Sequence, residues 1–175
     1  SILWHDGPRL TELVQELESK GLAVGEQGKG RGSWLAFGYV LASGQAKAIA
    51  LHDCDILSYE RSLLARLCYP IANSNMGYEY CKGYYARYGE QLYGRVTRLY
   101  FTPLLRALIK LIGNHPILEY LDSFRYPLSG EFAMTVDLAR SNRIPANWGL
   151  EVGMLTEVFR HAALRHVCQV DLISN

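Results

Sequence analysis

The 175-residue sequence contains no uncharged apolar run near the roughly 18 residues that a membrane-spanning helix needs. It also lacks any excess of one charge: 18 Lys and Arg stand against 17 Asp and Glu, for a net charge of +1. Bulk charge therefore gives no support to a nucleic-acid partner. The four cysteines, Cys54, Cys68, Cys81 and Cys168, form no C-x-x-C pair and have no histidine at zinc-finger spacing, which argues against a structural zinc site. Free thiols in a reducing compartment are the expectation. The opening Ser1–Gly7 carries His5 and Asp6 and lacks the apolar stretch of a signal peptide, so the expected location is the cytoplasm. The P-loop spacing, internal repeats and low-complexity tracts are also missing. What is present is 49% apolar residues and 20% charged ones. That composition excludes a disordered or fibrous chain and, at this length, suits one compact domain over residues 1–175.

Hydrophobic spacing orders the elements. Leu10, Leu13, Val14 and Leu17 repeat as one buried helical face, with Asp6 in the cap region and Gly21 at the stop. A Gly-rich basic loop follows at Gly25–Gly32, then a second helix over about Ser33–Ala42 that stops at Gly44. Ala48–His52 is a short continuous apolar run, read as a buried strand of a parallel sheet. A helix over about Tyr59–Leu67 is closed by Pro70. More than half of the 12 tyrosines lie between Met76 and Tyr100, and the alternation of Tyr78, Tyr80, Lys82 and Tyr84 suits a strand. Thr102–Leu111 is a further helix, and Pro116 and Pro127 punctuate a loop region. Glu131–Ala139 and Leu150–Ala162 are two more helix candidates, and His166–Leu172 is a final strand. The succession of helices and strands predicts an α/β fold whose ligand sits beyond strand carboxyl ends.

Asp53-Cys54-Asp55 is the sharpest chemical feature. In an extended segment residues i and i+2 share a side, so both carboxylates could converge on one hard cation, Mg²⁺ or Mn²⁺, with Cys54 turned into packing. A bare D-x-D also closes strands for no chemical purpose. Gly28-Lys29-Gly30 offers a lysine beside backbone that a phosphate could approach, or merely a solvated turn. Gly94-Arg95-Val96-Thr97 combines an arginine fork with a hydroxyl two residues on, a seat for phosphate or carboxylate, or a surface arginine and a strand threonine. Glu131 and Glu151 each follow closely on a glycine, where an acid commonly does no more than favour a helix dipole. His52, His161 and His166 form no H-x-x-x-H pair.

These features occur in a specific order. L-W-H-D-G-P-R, G-K-G-R-G, A-L-H-D-C-D-I, Y-G-R-V-T-R, Y-P-L-S-G-E-F and W-G-L-E-V-G-M-L together resemble the glucosyl-3-phosphoglycerate synthases, retaining glycosyltransferases close to the mannosylglycerate synthases. The resemblance spans nearly the whole chain. It implies a GT-A fold, a Rossmann-like mixed sheet flanked by helices, and transfer of glucose from a nucleotide-diphosphate sugar (UDP- or GDP-glucose) to the 2-hydroxyl of 3-phosphoglycerate with retention. It implies Mg²⁺ or Mn²⁺ at Asp53 and Asp55, and donor contacts from Lys29, Asp53, Leu128, Ser129, Gly130 and Glu131. Acceptor contacts fall to Gly94, Arg95, Val96, Thr97 and Trp148, and Glu151 and Glu131 lie at the reaction centre. Family members begin with a strand and a base-binding loop ahead of the first motif and carry a histidine metal ligand after the last strand. The resemblance therefore implies a partial domain lacking the first strand, weak or inactive alone.

Other readings stay open on residues alone. A related enzyme could use another donor, such as GDP-mannose, or another acceptor, such as glycerate. The Tyr/Lys/Arg interleaving from Tyr78 to Arg98 could stack bases of a single strand, although a near-neutral chain offers no broad basic groove. A transferase domain kept only for assembly is a third possibility, against which the intact Asp53, Asp55 and Arg95 weigh. The tyrosine-rich segment and the helix near Leu104–Leu111 could form a homodimer surface or lie in the core.

Overall fold

Residues 2–85, 94–146 and 148–172 are described by a computed structural model. Helix α1 covers Pro8–Ser19 and α2 covers Lys29–Ser43; strand β1, Ala48–Leu51, follows. Helix α3 (Arg61–Ala72) leads to β2 (Tyr80–Tyr84), and a π-type turn at Thr97–Phe101 opens α4 (Thr102–Ile112). Then come α5 (Pro116–Asp122), β3 (Phe132–Thr135), α6 (Val136–Ser141), α7 (Leu150–His161) and β4 (Val167–Asp171). The strands form one sheet in the order β1-β3-β2-β4. β3 runs antiparallel to both β1 and β2, while β2 and β4 are parallel. This is the expected mixed sheet flanked by helices. The all-parallel setting expected for β1 is corrected: its partner is the reversed strand β3, with Ile49 opposite Met134.

Alternation along the strands divides the core in two. Ile49, Tyr80, Phe132 and Met134 pack with Leu150, Met154, Leu155 and Val158 of α7. On the other face, Cys81 and Ala133 meet Leu63, Leu67 and Ile71, a one-face stripe of α3. Each large side chain buried in this way contributes about 1.5–3 kcal/mol of transfer free energy. The same alternation places Lys82 on the Tyr80 side of β2, where it is completely buried.

Several expectations are corrected. Glu131–Ala139 does not form one helix; it holds the central strand β3 and then α6. Both faces of β3 are covered, so Phe132-Ala133-Met134 shows no polar alternation to mark it as a strand. α2 begins at Lys29, four residues early, so the Gly-rich segment is partly its first turn. Pro70 lies inside α3, not beyond it. The loop expected between Pro116 and Pro127 contains α5, with Pro116 at a first-turn position where its missing N–H costs nothing. The apolar face of α1 is only half-buried, at Leu10, Val14 and Leu17, and Leu13 is exposed. Gly7 is the cap residue of that helix, with Asp6 just before it, and the Thr11 hydroxyl donates to the Gly7 carbonyl at 3.1 Å. On α4 Leu105 packs in the core, while Leu104, Leu111 and Ile112 are exposed, so only one face of this helix is core. No helix among the described residues is long and apolar enough to cross a membrane.

Candidate functional site

Four segments meet beyond the carboxyl end of β1: the start of α2, the turn after β1, the segment leading into β3, and the start of α7. Lys29 at the first position of α2 is at the centre. Its Nζ donates to Asp53 Oδ1 at 2.6 Å and to Glu151 Oε1 at 2.9 Å. The second of these bonds joins residues 122 positions apart. Partial burial works to lower the Lys29 pKa, but the hydrogen bonds and charges of Asp53 and Glu151 outweigh it and raise the pKa.

The local chain explains the convergence. A Cβ at Gly30 would lie 1.9 Å from the Pro145 carbonyl oxygen, so the bare backbone of α2's first turn rests directly on the segment that leads to α7. Arg31 N–H donates to the Ala146 carbonyl across that contact. Glu157 holds the same segment from below, accepting from the Arg143 N–H at 3.0 Å and from Arg160 Nη1 at 2.7 Å. Glu151 in the first turn of α7 is consequently carried to Lys29.

Asp53 is seated from its other side. A Cβ at Gly130 would sit 2.4 Å from both Asp53 carboxylate oxygens, a contact only glycine allows. Beside Gly130, the buried Ser129 hydroxyl donates to Glu131 Oε2 at 2.6 Å and accepts from the Glu131 N–H. Glu131 is 3% exposed and precedes a strand, so the first-turn reading given to it above is corrected. From β2, Lys82 Nζ donates to the Ser129 carbonyl at 2.5 Å and lies 5.7 Å from the Phe132 ring centroid. Burial pushes the Lys82 pKa down to about 8, against the opposing pull of Glu151, Glu131 and Asp53.

Asp53 and Asp55 do not alternate along a strand as expected. The strand ends at Leu51, and Cys54 and Asp55 form a turn in which both are exposed, so Cys54 is not turned into packing. His52 packs edge-on against Tyr59, with no hydrogen-bond partner on either ring nitrogen. Burial lowers its pKa. His161 and His166 pair instead with Glu157 and Glu79. Among the described residues, no three His, Cys, Asp or Glu side chains cluster as a ready metal site.

The remaining expected residues are not in this cluster. Leu128 is partly exposed ahead of Ser129, and Trp148 is fully exposed. Arg95 and Val96 are exposed, Gly94 is left-handed at φ 68°, and Thr97 is buried with an unpartnered hydroxyl. The proposed stacking series is broken, because Tyr80 and Lys82 are buried; its Arg87, Tyr88 and Tyr93 lie outside the described residues. Sequence reasoning missed Lys82 as part of the site. Its signal was a lysine in phase with Tyr80 and Tyr84 in a strand.

No family model matches the chain. It is 53% identical over 172 residues to the glucosyl-3-phosphoglycerate synthase of Persephonella marina, covering 98% of this chain and 43% of that protein. It is 45% identical over 175 residues to the synthase of Methanococcoides burtonii, with the same coverage of both. Among solved structures, it resembles the glucosyl-3-phosphoglycerate synthase of Mycobacterium tuberculosis in complex with Mn²⁺, UDP-glucose and phosphoglyceric acid. That match has a TM-score of 0.65 and 28% identity, over 84% of this chain and 45% of that one. A complex of the same enzyme with Mn²⁺, UDP and glucosyl-3-phosphoglycerate gives a TM-score of 0.66. The chain spans a little under half the length of these relatives, and over nearly all of its own length it is similar in sequence and fold to the glucosyl-3-phosphoglycerate synthases.

Proposed function

We propose that residues 1–175 are part of one glycosyltransferase catalytic domain. In this reading the domain moves glucose from a nucleotide-diphosphate sugar to the 2-hydroxyl of 3-phosphoglycerate, with retention and with a divalent cation. The observation that carries the reading is the meeting of Lys29, Asp53, Glu151 and the Ser129–Glu131 segment beyond β1, in a fold shared with synthases solved with Mn²⁺, UDP-glucose and phosphoglyceric acid.

The donor set suits a hard cation. Asp53 and Asp55 offer acceptor-only oxygens at an accessible turn, and Asp53 already accepts from a cationic group, the Lys29 ammonium. Two carboxylates leave coordination positions for water and substrate phosphate, the usual arrangement for Mg²⁺ and Mn²⁺ at diphosphates. Held there, the cation would neutralise charge developing on the departing diphosphate.

The chain's own residues supply the rest. Lys29 adds a second positive charge at the diphosphate and keeps Asp53 and Glu151 in register. The Leu128–Gly130 backbone lines the sugar, and Glu131 hydrogen-bonds its hydroxyls. Glu151 and the exposed Trp148 lie at the acceptor side of the reaction centre. Arg95 clamps the acceptor phosphate with help from Thr97 and the Gly94 and Val96 backbone, which places the 2-hydroxyl on the same face as the leaving group. The test is to incubate the native-length polypeptide with Mn²⁺, 3-phosphoglycerate and a panel of UDP- and GDP-sugars. Mass spectrometry should find a glucosylated phosphoglycerate; no glycosylated product from any donor would refute the reading.

A further inference from the structure

Lys82 is completely buried on the central strand β2, and burial of an ammonium is costly unless it is compensated. The compensation here is specific. Its Nζ donates to the Ser129 carbonyl at 2.5 Å, and the Phe132 ring lies 5.7 Å away. The charged groups facing it come from four elements: Lys29 at the start of α2, Asp53 after β1, Glu131 before β3 and Glu151 on α7. Among the described residues, it forms no direct ion pair with any of them.

Ser129 is thus held at both ends. Its carbonyl is fixed by Lys82 and its hydroxyl by Glu131, at 2.6 Å. The next residue, Gly130, is the surface against which the Asp53 carboxylate rests. Glu131 is itself buried without a salt-bridge partner among the described residues, so Lys82 is a buried cation available to offset its charge. A core lysine that served packing alone would be replaced at little cost by an apolar side chain of the same length.

We propose that Lys82 is a positioning residue for the donor side of the site: its ammonium fixes the Ser129–Glu131 segment, and through Gly130 it sets the Asp53 carboxylate for a nucleoside-diphosphate sugar. This rests on the donor site proposed above. Lys82 does not touch substrate; it acts through the groups that do. Supporting groups of this kind commonly change affinity or activity by about 10–100-fold when removed.

The test is calorimetric binding of UDP-glucose with Mn²⁺ to the native-length polypeptide, beside Lys82→Met and Lys82→Arg, with thermal melting to establish folding. Lys82→Met should weaken donor binding at least about tenfold, while 3-phosphoglycerate affinity stays within about twofold. Lys82→Arg, which keeps the charge, should recover part of the loss. The unsubstituted protein supplies a second readout. Because burial holds the Lys82 pKa near 8, its donor affinity should fall between pH 7 and 9, and Lys82→Arg should flatten that fall. A folded Lys82→Met with unchanged donor affinity would overturn the inference. If the unsubstituted protein bound no nucleotide-sugar at all, the proposed function would fail, and this inference with it.

Discussion

The residues gathered around Lys29 and the segment Gly94–Thr97 are built on opposite plans. At the first, every group is already held: Lys29 bridges Asp53 and Glu151, Gly130 seats Asp53, and Ser129 is fixed by Lys82 and Glu131. At the second, Arg95 is exposed and the buried Thr97 hydroxyl has no partner. A preassembled cluster has its electrostatic cost settled during folding, so a ligand entering it loses little to reorganisation. An open segment must be ordered by the ligand it binds, and part of the interaction energy is spent on that ordering. The proposed donor side is the first kind and the proposed acceptor side the second.

The largest effect expected from this contrast is at the cation. Asp55→Ala, or removal of divalent metal with a chelator, should lower turnover of the native-length polypeptide by on the order of 10³-fold. A glucosyl-transfer assay checks both, and turnover that survives either would break the donor assignment. Gly130→Ala comes next. The new methyl would lie 2.4 Å from the Asp53 oxygens and must displace them. A fall of about 10–100-fold in kcat/KM for the donor should follow, with the thermal midpoint little changed. Arg95→Ala should raise the KM for 3-phosphoglycerate by about tenfold and leave donor affinity alone, since one charged hydrogen-bonding group is lost from an open site. An unchanged acceptor KM would remove Arg95 from the account.

The smallest effect concerns stability. The folded-state pKa of Lys82 is near 8, below its ordinary 10.5. Between those values the unfolded chain binds more protons, so stability from this group rises with pH. Melting the unsubstituted protein and Lys82→Met side by side at pH 7 and 9 should show the difference shifting in favour of the unsubstituted protein. A constant difference would mean that Lys82 does not titrate in that range.

The same contrast explains what could be read in advance. Elements with one wet face announce themselves, as α7 does through Leu150, Met154, Leu155 and Val158. The Tyr80–Tyr84 strand is legible from the alternation of Tyr80, Lys82 and Tyr84 with the smaller Cys81 and Gly83, although both of its faces are covered too. β3 has no wet face, so its unbroken apolar run was indistinguishable from a helix. Pro70 and Pro116 read as breaks because a sequence does not show where in a helix a proline falls: Pro116 sits in a first turn, which tolerates it, and Pro70 lies inside α3, which ends at Ala72. Lys29, Asp53 and Glu151 stood out from the order of motifs, although no single motif was specific. Lys82 was passed over because a lysine in an alternating strand is ordinarily assigned to water, and only the fold shows its amine directed at the Ser129 carbonyl. The turn at Asp53–Asp55 was equally invisible, because strand ends are set by pairing with β3 and not by composition.

The most direct measurement of the central claim is UDP-glucose binding to the native-length polypeptide and to Asp53→Asn, with and without Mn²⁺. The account predicts Mn²⁺-dependent binding that Asp53→Asn loses, while 3-phosphoglycerate binding survives. Donor binding that ignores both the metal and the substitution would contradict the claim that Lys29 and Asp53 belong to the donor site.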